Sequence, residues 1–316
     1  MIIKNINNTE PHLSNIAEKP KYNAVDVDNL TLLSIDGGYS FITYYMIRSF
    51  MMLGINIPII IICNGDKNYQ YLLTDLQKDY PLLKIYNIDI KTHLSGIPDS
   101  SFKHSFSIQE AIDNFIETDY ILLCDNDILF CENIRDIILN EKYKINNSAF
   151  YGWIEWENEN DFIKKRLDYL IRKSYLPSKE EIKYKFNYDI TTITDKNNNT
   201  YWCYNRIEPY CVFLNLKLLK EYCITDLQSY NIDTSFANKY FLDTMGMLFK
   251  NIYDKNLNYT LWNMWHYIYH IESATLRYKA RTPDVYYNIM LESIERINNT
   301  IYRPDKVETK VLLPSK

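Results

Sequence analysis

Two aspartates one residue apart, Asp125 and Asp127, flank Asn126 directly after the apolar run from Tyr120 to Cys124. In an extended chain alternate residues project to the same side, so both carboxylates face one way where the strand ends. Hard divalent cations such as Mg²⁺ and Mn²⁺ want oxygen ligands and keep positions open for phosphate oxygens. A protein that donates few ligands, with a diphosphate completing the shell, fits that preference. The competing reading is a solvated turn closing a strand, a common use of Asp and Asn.

The elements that must position this pair are legible from periodicity. Leu30 to Ile35 reads as a strand, followed by a turn at Asp36-Gly37-Gly38. Ser40 to Leu53 has helical apolar spacing and stops at Gly54, a residue suited to the left-handed position that ends a helix. Ile57 to Cys63 is an unbroken apolar, β-branched run, the pattern of a strand buried on both faces of a parallel sheet. A helix over Tyr69 to Lys78, a strand over Lys84 to Ile90, a helix from about Ser107 to Glu117 and the strand Tyr120 to Cys124 continue the alternation. Strand–helix alternation of this kind predicts an α/β fold with a mostly parallel central sheet flanked by helices. Such sheets bind ligands beyond the carboxyl ends of their strands, and Asp36, Asn64 and Asp125 all fall there.

The second half differs in character, with all five tryptophans after residue 150. Expected elements there are helices over Asp161 to Tyr175, Lys217 to Tyr222 and Phe236 to Asn251, a strand over Tyr210 to Leu216, and a polar loop over Thr191 to Thr200.

Composition narrows the function classes. The chain has 316 residues and only 7 glycines, so little material exists for a Gly-rich phosphate loop. A net charge of −5 disfavours affinity built on neutralising many phosphates, though a local groove remains open to a nucleic-acid substrate. The six cysteines form no C-x-x-C pair, and zinc would want closely paired ligands. Buried free thiols in a reducing compartment are the expectation. Residues 1–29 read as a loose leader without an apolar signal core, and no run is long enough to span a bilayer. A cytoplasmic protein with no transmembrane segment is expected.

The segment from Asp119 to Phe130 resembles the D-x-D segment of GT-A glycosyltransferases, in which a hydrophobic strand delivers the acidic pair. Leu32 to Asp36 with Tyr39 is similar to that superfamily's first strand and loop, and Glu208 to Asn215 to its strand-then-Asn segment on the acceptor side. Asp243-Thr244 resembles an acidic D-T-G segment, with Met245 intervening before Gly246, and His270 with Ser273 resembles a late H-x-x-S element. The resemblance covers roughly residues 30 to 275.

It implies a GT-A, Rossmann-like fold and an enzyme that moves a sugar from a nucleoside-diphosphate donor, a UDP-sugar by resemblance, to a hydroxyl acceptor. The implied halves are 30–130 for the nucleotide sugar and 131–302 for the acceptor, with 303–316 a tail. The metal is expected on Asp125, Asp127 and His270, and an imidazole in the shell favours Mn²⁺ over Mg²⁺. His266, four residues earlier and on the same face if the stretch is helical, is the weaker alternative, and a hydrogen-bonded histidine among aromatics competes with either. Ser34, Asp36 and Tyr39 are nucleoside candidates, against ordinary turn chemistry around the glycines. Asn64, Asn126 and Lys103 are further nucleotide-sugar candidates, Lys103 as a point charge on phosphate.

Asp243 is the first candidate for a carboxylate at the acceptor, with Asp233 and Glu208 as rivals. Trp153, Glu155, Trp156 and Asn215 are acceptor-binding candidates, since aromatic faces suit the apolar faces of sugars; plain core packing is the alternative for the tryptophans. The acceptor itself, a glycan, lipid, protein or modified nucleic acid, stays open. Two other functions remain as alternatives. A sugar nucleotidyltransferase would want a basic Gly-rich loop, which Asp36 to Tyr39 is too short to supply. A non-catalytic carbohydrate-binding protein would have no use for the D-x-D strand.

Overall fold

The computed structural model describes residues 23–38, 40–65, 67, 70–90, 99–140, 147–153, 191–194, 200–203, 207–222, 244–262, 264 and 267–270. The α/β class with a mostly parallel central sheet is the architecture observed. The first half begins with β1 (Val25–Asp26), β2 (Leu30–Asp36), α1 (Ser40–Met51), β3 (Ile55–Asn56), β4 (Ile59–Cys63), α2 (Gln70–Asp79) and β5 (Leu83–Asn87). It continues with α3 (Asp99–Asn114), β6 (Tyr120–Cys124), β7 (Ile128–Phe130) and α4 (Ile134–Asn140). Beyond these lie β8 (Phe150–Gly152), β9 (Thr191–Thr194), β10 (Thr200–Cys203), β11 (Cys211–Asn215), α5 (Leu216–Glu221), α6 (Gly246–Asp254), β12 (Thr260–Leu261) and β13 (Ile268–His270).

Seven strands form one sheet in the order β12-β8-β11-β6-β2-β4-β5. β2 pairs in parallel with β4 and β6, and β4 with β5. β11 is antiparallel to both β6 and β8, and β12 is parallel to β8. Within this sheet only β11 therefore runs against the rest. β2 and β4 are buried along their whole length, which is why they read as continuous apolar runs instead of alternating ones.

Alternation along each strand sorts the core into two layers. Leu32, Ile59, Ile61, Leu122, Cys124 and Phe213 pack with α1 and α2. Leu33, Ile60, Ile62, Leu123, Val212 and Leu214 pack with α3, α5 and α6 through Ile108, Leu219 and Leu248. A shift of one residue in register would exchange these layers, so the two apolar faces fix the pairing. Gly54 closes α1 with a φ of 61°, the left-handed position anticipated for it.

Three elements differ from expectation. α3 starts at Asp99, not near Ser107, because the polar residues Asp99, Ser100 and Ser101 fill a first turn whose backbone N–H groups lack helical acceptors. Thr191 to Thr200, expected as a loop, supplies the antiparallel pair β9–β10; the β-branched Thr191-Thr192-Ile193-Thr194 run suits a strand. Of the helix expected over Phe236 to Asn251, residues 236–243 lie outside the described residues, 244–245 form a turn in which Met245 takes a positive φ of 70°, and the helix runs from Gly246. The predicted helix over Asp161 to Tyr175 lies outside the described residues.

Candidate active site

The carboxyl ends of β2, β4 and β6 lie side by side, since Asp36 is in register with Cys63 and Ser34 with Cys124. Asp125 follows β6, and its backbone N–H donates to the Tyr210 carbonyl at 3.2 Å. The chain then turns into β7, which pairs antiparallel with β13 so that His270 stands opposite Ile128. That register, and not sequence proximity, brings His270 to the acidic pair.

His270 Nε2 lies 3.2 Å from Asp127 Oδ1, with both side chains 9% exposed. One ligand atom each from Asp125, Asp127 and His270 fall within 4.8 Å of one another. Burial alone would push the His270 pKa down; the hydrogen bond its imidazole donates to Asp127 and the charges of Asp127, Asp125 and Glu208 outweigh it, so the value is raised. The ring of Tyr210 packs against His270 with centroids 4.4 Å apart. On the other side of the pair, His104 Nε2 from α3 lies 3.4 Å from Asp125 Oδ1.

The donor set fits a divalent cation. Two carboxylates and an imidazole are borderline-hard ligands that Mn²⁺ accepts, and adjacent ligands on such an ion stand about 3 Å apart. Among the described residues this is the single group of three or more His, Cys, Asp or Glu side chains disposed to hold an ion.

The remaining candidates are distributed unevenly. Asp36 is buried and turned inward: it accepts from the Gly38 N–H at 3.0 Å and the Ser40 hydroxyl at 2.5 Å, and so organises the turn into α1. Ser34 is fully buried, and its hydroxyl has no hydrogen-bond partner among the described residues. Its register with Cys124 puts it near the carboxyl end of the sheet, where its side chain is covered. Asn64 does stand at the edge, but its amide donates to the Lys103 carbonyl at 3.1 Å and the Ser107 hydroxyl at 2.7 Å. Asn126 donates to Thr43 Oγ1 at 3.1 Å and is likewise buried. Lys103, on α3, is partly buried next to His104.

Asn215 departs furthest from expectation. β11 runs antiparallel to β6, which puts Asn215 opposite Tyr120, at the end of the sheet remote from Asp125. Its side chain accepts from the Leu218 N–H at 3.0 Å and caps α5. A helix cap is therefore its role in the structure, and it is not brought to the acceptor side. Trp153 is near the site: its carbonyl accepts from the Glu208 N–H at 2.9 Å. Glu208 is close enough to His270 to affect its charge. Tyr39, Glu155, Trp156, Asp233, Asp243 and His266 lie outside the described residues.

Two neighbours of the acidic pair went unread in the sequence, His104 and Tyr210. His104 had a signal, since Ile108 and Ala111 follow it at helical spacing and both are fully buried. A histidine that extends a helix's core face past the sheet edge points to the strand ends. Tyr210 had none, because its placement depends on the pairing of β11 with β6.

No family model matches the sequence, and no curated protein matches it. Among solved structures, the galactosyltransferase LgtC with donor and acceptor sugar analogues aligns over 81% of both chains at 10% identity, with a TM-score of 0.46. Residues 1–349 of S. aureus TarS with UDP-GlcNAc align over 89% of this chain and 69% of that one, at 13% identity and a TM-score of 0.40. The mannosyltransferase PcManGT from Pyrobaculum calidifontis, with GDP-Man and Mn²⁺, aligns over 92% and 68%, at 9% identity and a TM-score of 0.43. Likeness at this level assigns neither a substrate nor a residue's role.

Proposed function

We propose that the chain is a metal-dependent glycosyltransferase of the GT-A kind, moving a sugar from a nucleoside-diphosphate donor to a hydroxyl acceptor. The observation that carries this reading is the Asp125, Asp127 and His270 cluster at the carboxyl edge of a parallel sheet. In it Asp127 and His270 hold a divalent cation, with Asp125 bound to the same ion or to the ribose. A bound ion, Mn²⁺ by the imidazole among its ligands, would supply Lewis acidity to offset charge on a departing diphosphate. The protein contributes placement: β6 and β13 set the ligands, and the buried surroundings strengthen every charge interaction there.

Residues 30–130 form the donor half in this reading, and the open space over Gly37 leaves room for a base, since among the described residues a Cβ there would meet nothing within 4 Å. A UDP-sugar is the proposed donor. Residues 131–302 form the acceptor half in the same reading; within it the Trp153 carbonyl accepts from the Glu208 N–H, and Glu208 in turn acts on the charge of His270. Asp243, Asp233, Glu155 and Trp156 remain proposed acceptor-side residues on sequence grounds.

The test is thermal stability with a panel of nucleoside diphosphates and nucleotide sugars, each with and without Mn²⁺. A ligand that binds only the folded state raises the melting temperature by mass action. One nucleotide is expected to stabilise only with metal present, and Asp127→Ala is expected to abolish the shift. A wild-type curve unmoved by every nucleotide, with or without metal, overturns the reading and favours a carbohydrate-binding protein.

A further inference from the structure

α3 carries an imidazole, that of His104, to the acidic pair. As the crossover between parallel strands β5 and β6, α3 runs back against them, so its N-terminal turns lie over the carboxyl edge of the sheet. Ile108 and Ala111 bury one face of α3 on the sheet, and His104 lies on that same face one turn earlier. There its Nε2 is 3.4 Å from Asp125 Oδ1, with the two side chains 23% and 19% exposed.

The turn that presents His104 is itself held. Asn64, at the end of β4, donates to the Lys103 carbonyl at 3.1 Å and to Ser107 Oγ at 2.7 Å. The Ser107 hydroxyl in turn donates to the Lys103 carbonyl at 2.6 Å. These bonds bracket His104 on both sides and tie its backbone to the sheet. The two aspartates therefore have separate imidazoles: His270 on Asp127 and His104 on Asp125. His104 is outside the group whose ligand atoms converge, so it is not counted among the ligands proposed for the ion.

We propose that His104 is a positioning residue: its Nε2, in polar contact with Asp125 Oδ1 at 3.4 Å but outside hydrogen-bond geometry there, closes to donate to that oxygen, so that the other carboxylate oxygen is turned to the cation site. The proposal rests on the metal-dependent reading above. A carboxylate at a strand end swings freely about its Cα–Cβ bond, and an outer-shell hydrogen bond that fixes it raises the fraction of chains ready to bind. Losing such a partner typically costs about 10–100-fold in metal affinity.

The experiment measures Mn²⁺ binding to the full chain by calorimetry, with the melting temperature of the metal-free protein recorded for each variant. His104→Ala is expected to weaken Mn²⁺ by about tenfold or more while leaving the metal-free melting temperature unchanged or higher, because Ala favours the helix. His104→Gln, which keeps a donor on a side chain of similar reach, is expected to recover most of the loss. A helix damaged by substitution would lower the melting temperature and would not be rescued in this way. Wild-type affinity in His104→Ala, or equal weakening in the Ala and Gln variants, overturns the role given to His104 alone. If the wild-type protein takes up no Mn²⁺, the cation reading itself falls, and the positioning role falls with it.

Discussion

Two residues apart on β2, Ser34 and Asp36 put the same strand to different uses. Asp36 spends its carboxylate on Gly38 and Ser40, and so shapes the loop beneath the proposed nucleoside. Ser34 hides a hydroxyl that has no partner among the described residues, a group whose desolvation costs about 1–3 kcal/mol. The loop after β4 meets that same turn at Gly65, where a Cβ would run into the backbone carbonyl of Gly37. Ser34→Ala is thus expected to leave stability unchanged or raise it by about 1 kcal/mol, with nucleotide binding intact. Gly65→Ala forces the two loops apart and is expected to lose the metal-dependent nucleotide shift. Denaturant melts and thermal shifts on both variants check this. A nucleotide defect in Ser34→Ala would return its hydroxyl to the binding site.

Among the elements, α2 and the β3–β4 connection are joined by one side chain. The Tyr80 hydroxyl accepts from the Ile57 N–H at 3.0 Å and lies 2.8 Å from the Ile57 carbonyl, just where Pro58 interrupts the strand. Burial pushes its pKa from 10.0 up to about 12, against a smaller lowering from the Ile57 backbone bond and with a further rise from Asp26. The neutral phenol is the form the fold favours, so its contribution is complete below pH 10 and disappears as pH climbs through 12. Tyr80→Phe is expected to cost about 1–3 kcal/mol near neutrality. That deficit should shrink between pH 10 and 12, at about 1.4 kcal/mol per unit. Urea melts of both proteins across that range test it, and a deficit that stays constant would remove the hydroxyl from the account.

At this same scale the limits of sequence reading have physical causes. β2, β4 and β6 were legible because burial on both faces demands continuous apolar runs, and Tyr120–Cys124 was anticipated residue for residue. The start of α3 was missed because a polar first turn looks like a loop until its N–H groups are counted. Spacing marks Asp125 and Asp127 as a pair, but only the resemblance weighs that pair against a solvated turn. His270 was reached only through resemblance, since β7–β13 pairing joins segments separated by more than a hundred residues. Asn215 was misplaced for a related reason: the antiparallel direction of β11, which carries it to the far end, leaves no trace in the residues of the strand itself.

Across the molecule, the candidate site is built from β6, α3, the Glu208–Tyr210 segment and β13, so a cation bound as proposed would be coupled to folding through long-range pairings. Among the described residues no helix is long and apolar enough to cross a membrane, and the ordinary α/β core carries these pairings. Metal at about 100 times its dissociation constant adds about 2.7 kcal/mol to stability, or several degrees in melting temperature for a chain of this size. A chelator is expected to return the wild-type protein to its metal-free melting temperature. Asp127→Ala and His270→Ala each remove a ligand from one ion, so either alone is expected to erase the metal-dependent increment. The double variant should lose no more than the single ones. That non-additivity is the signature of two residues acting on one ion, and separate melts with and without Mn²⁺ isolate it from the cost of breaking the buried Asp127–His270 pair. If the two losses instead add, each with its own residual increment, Asp127 and His270 serve different ions, and the pairing of β7 with β13 does not build the metal centre.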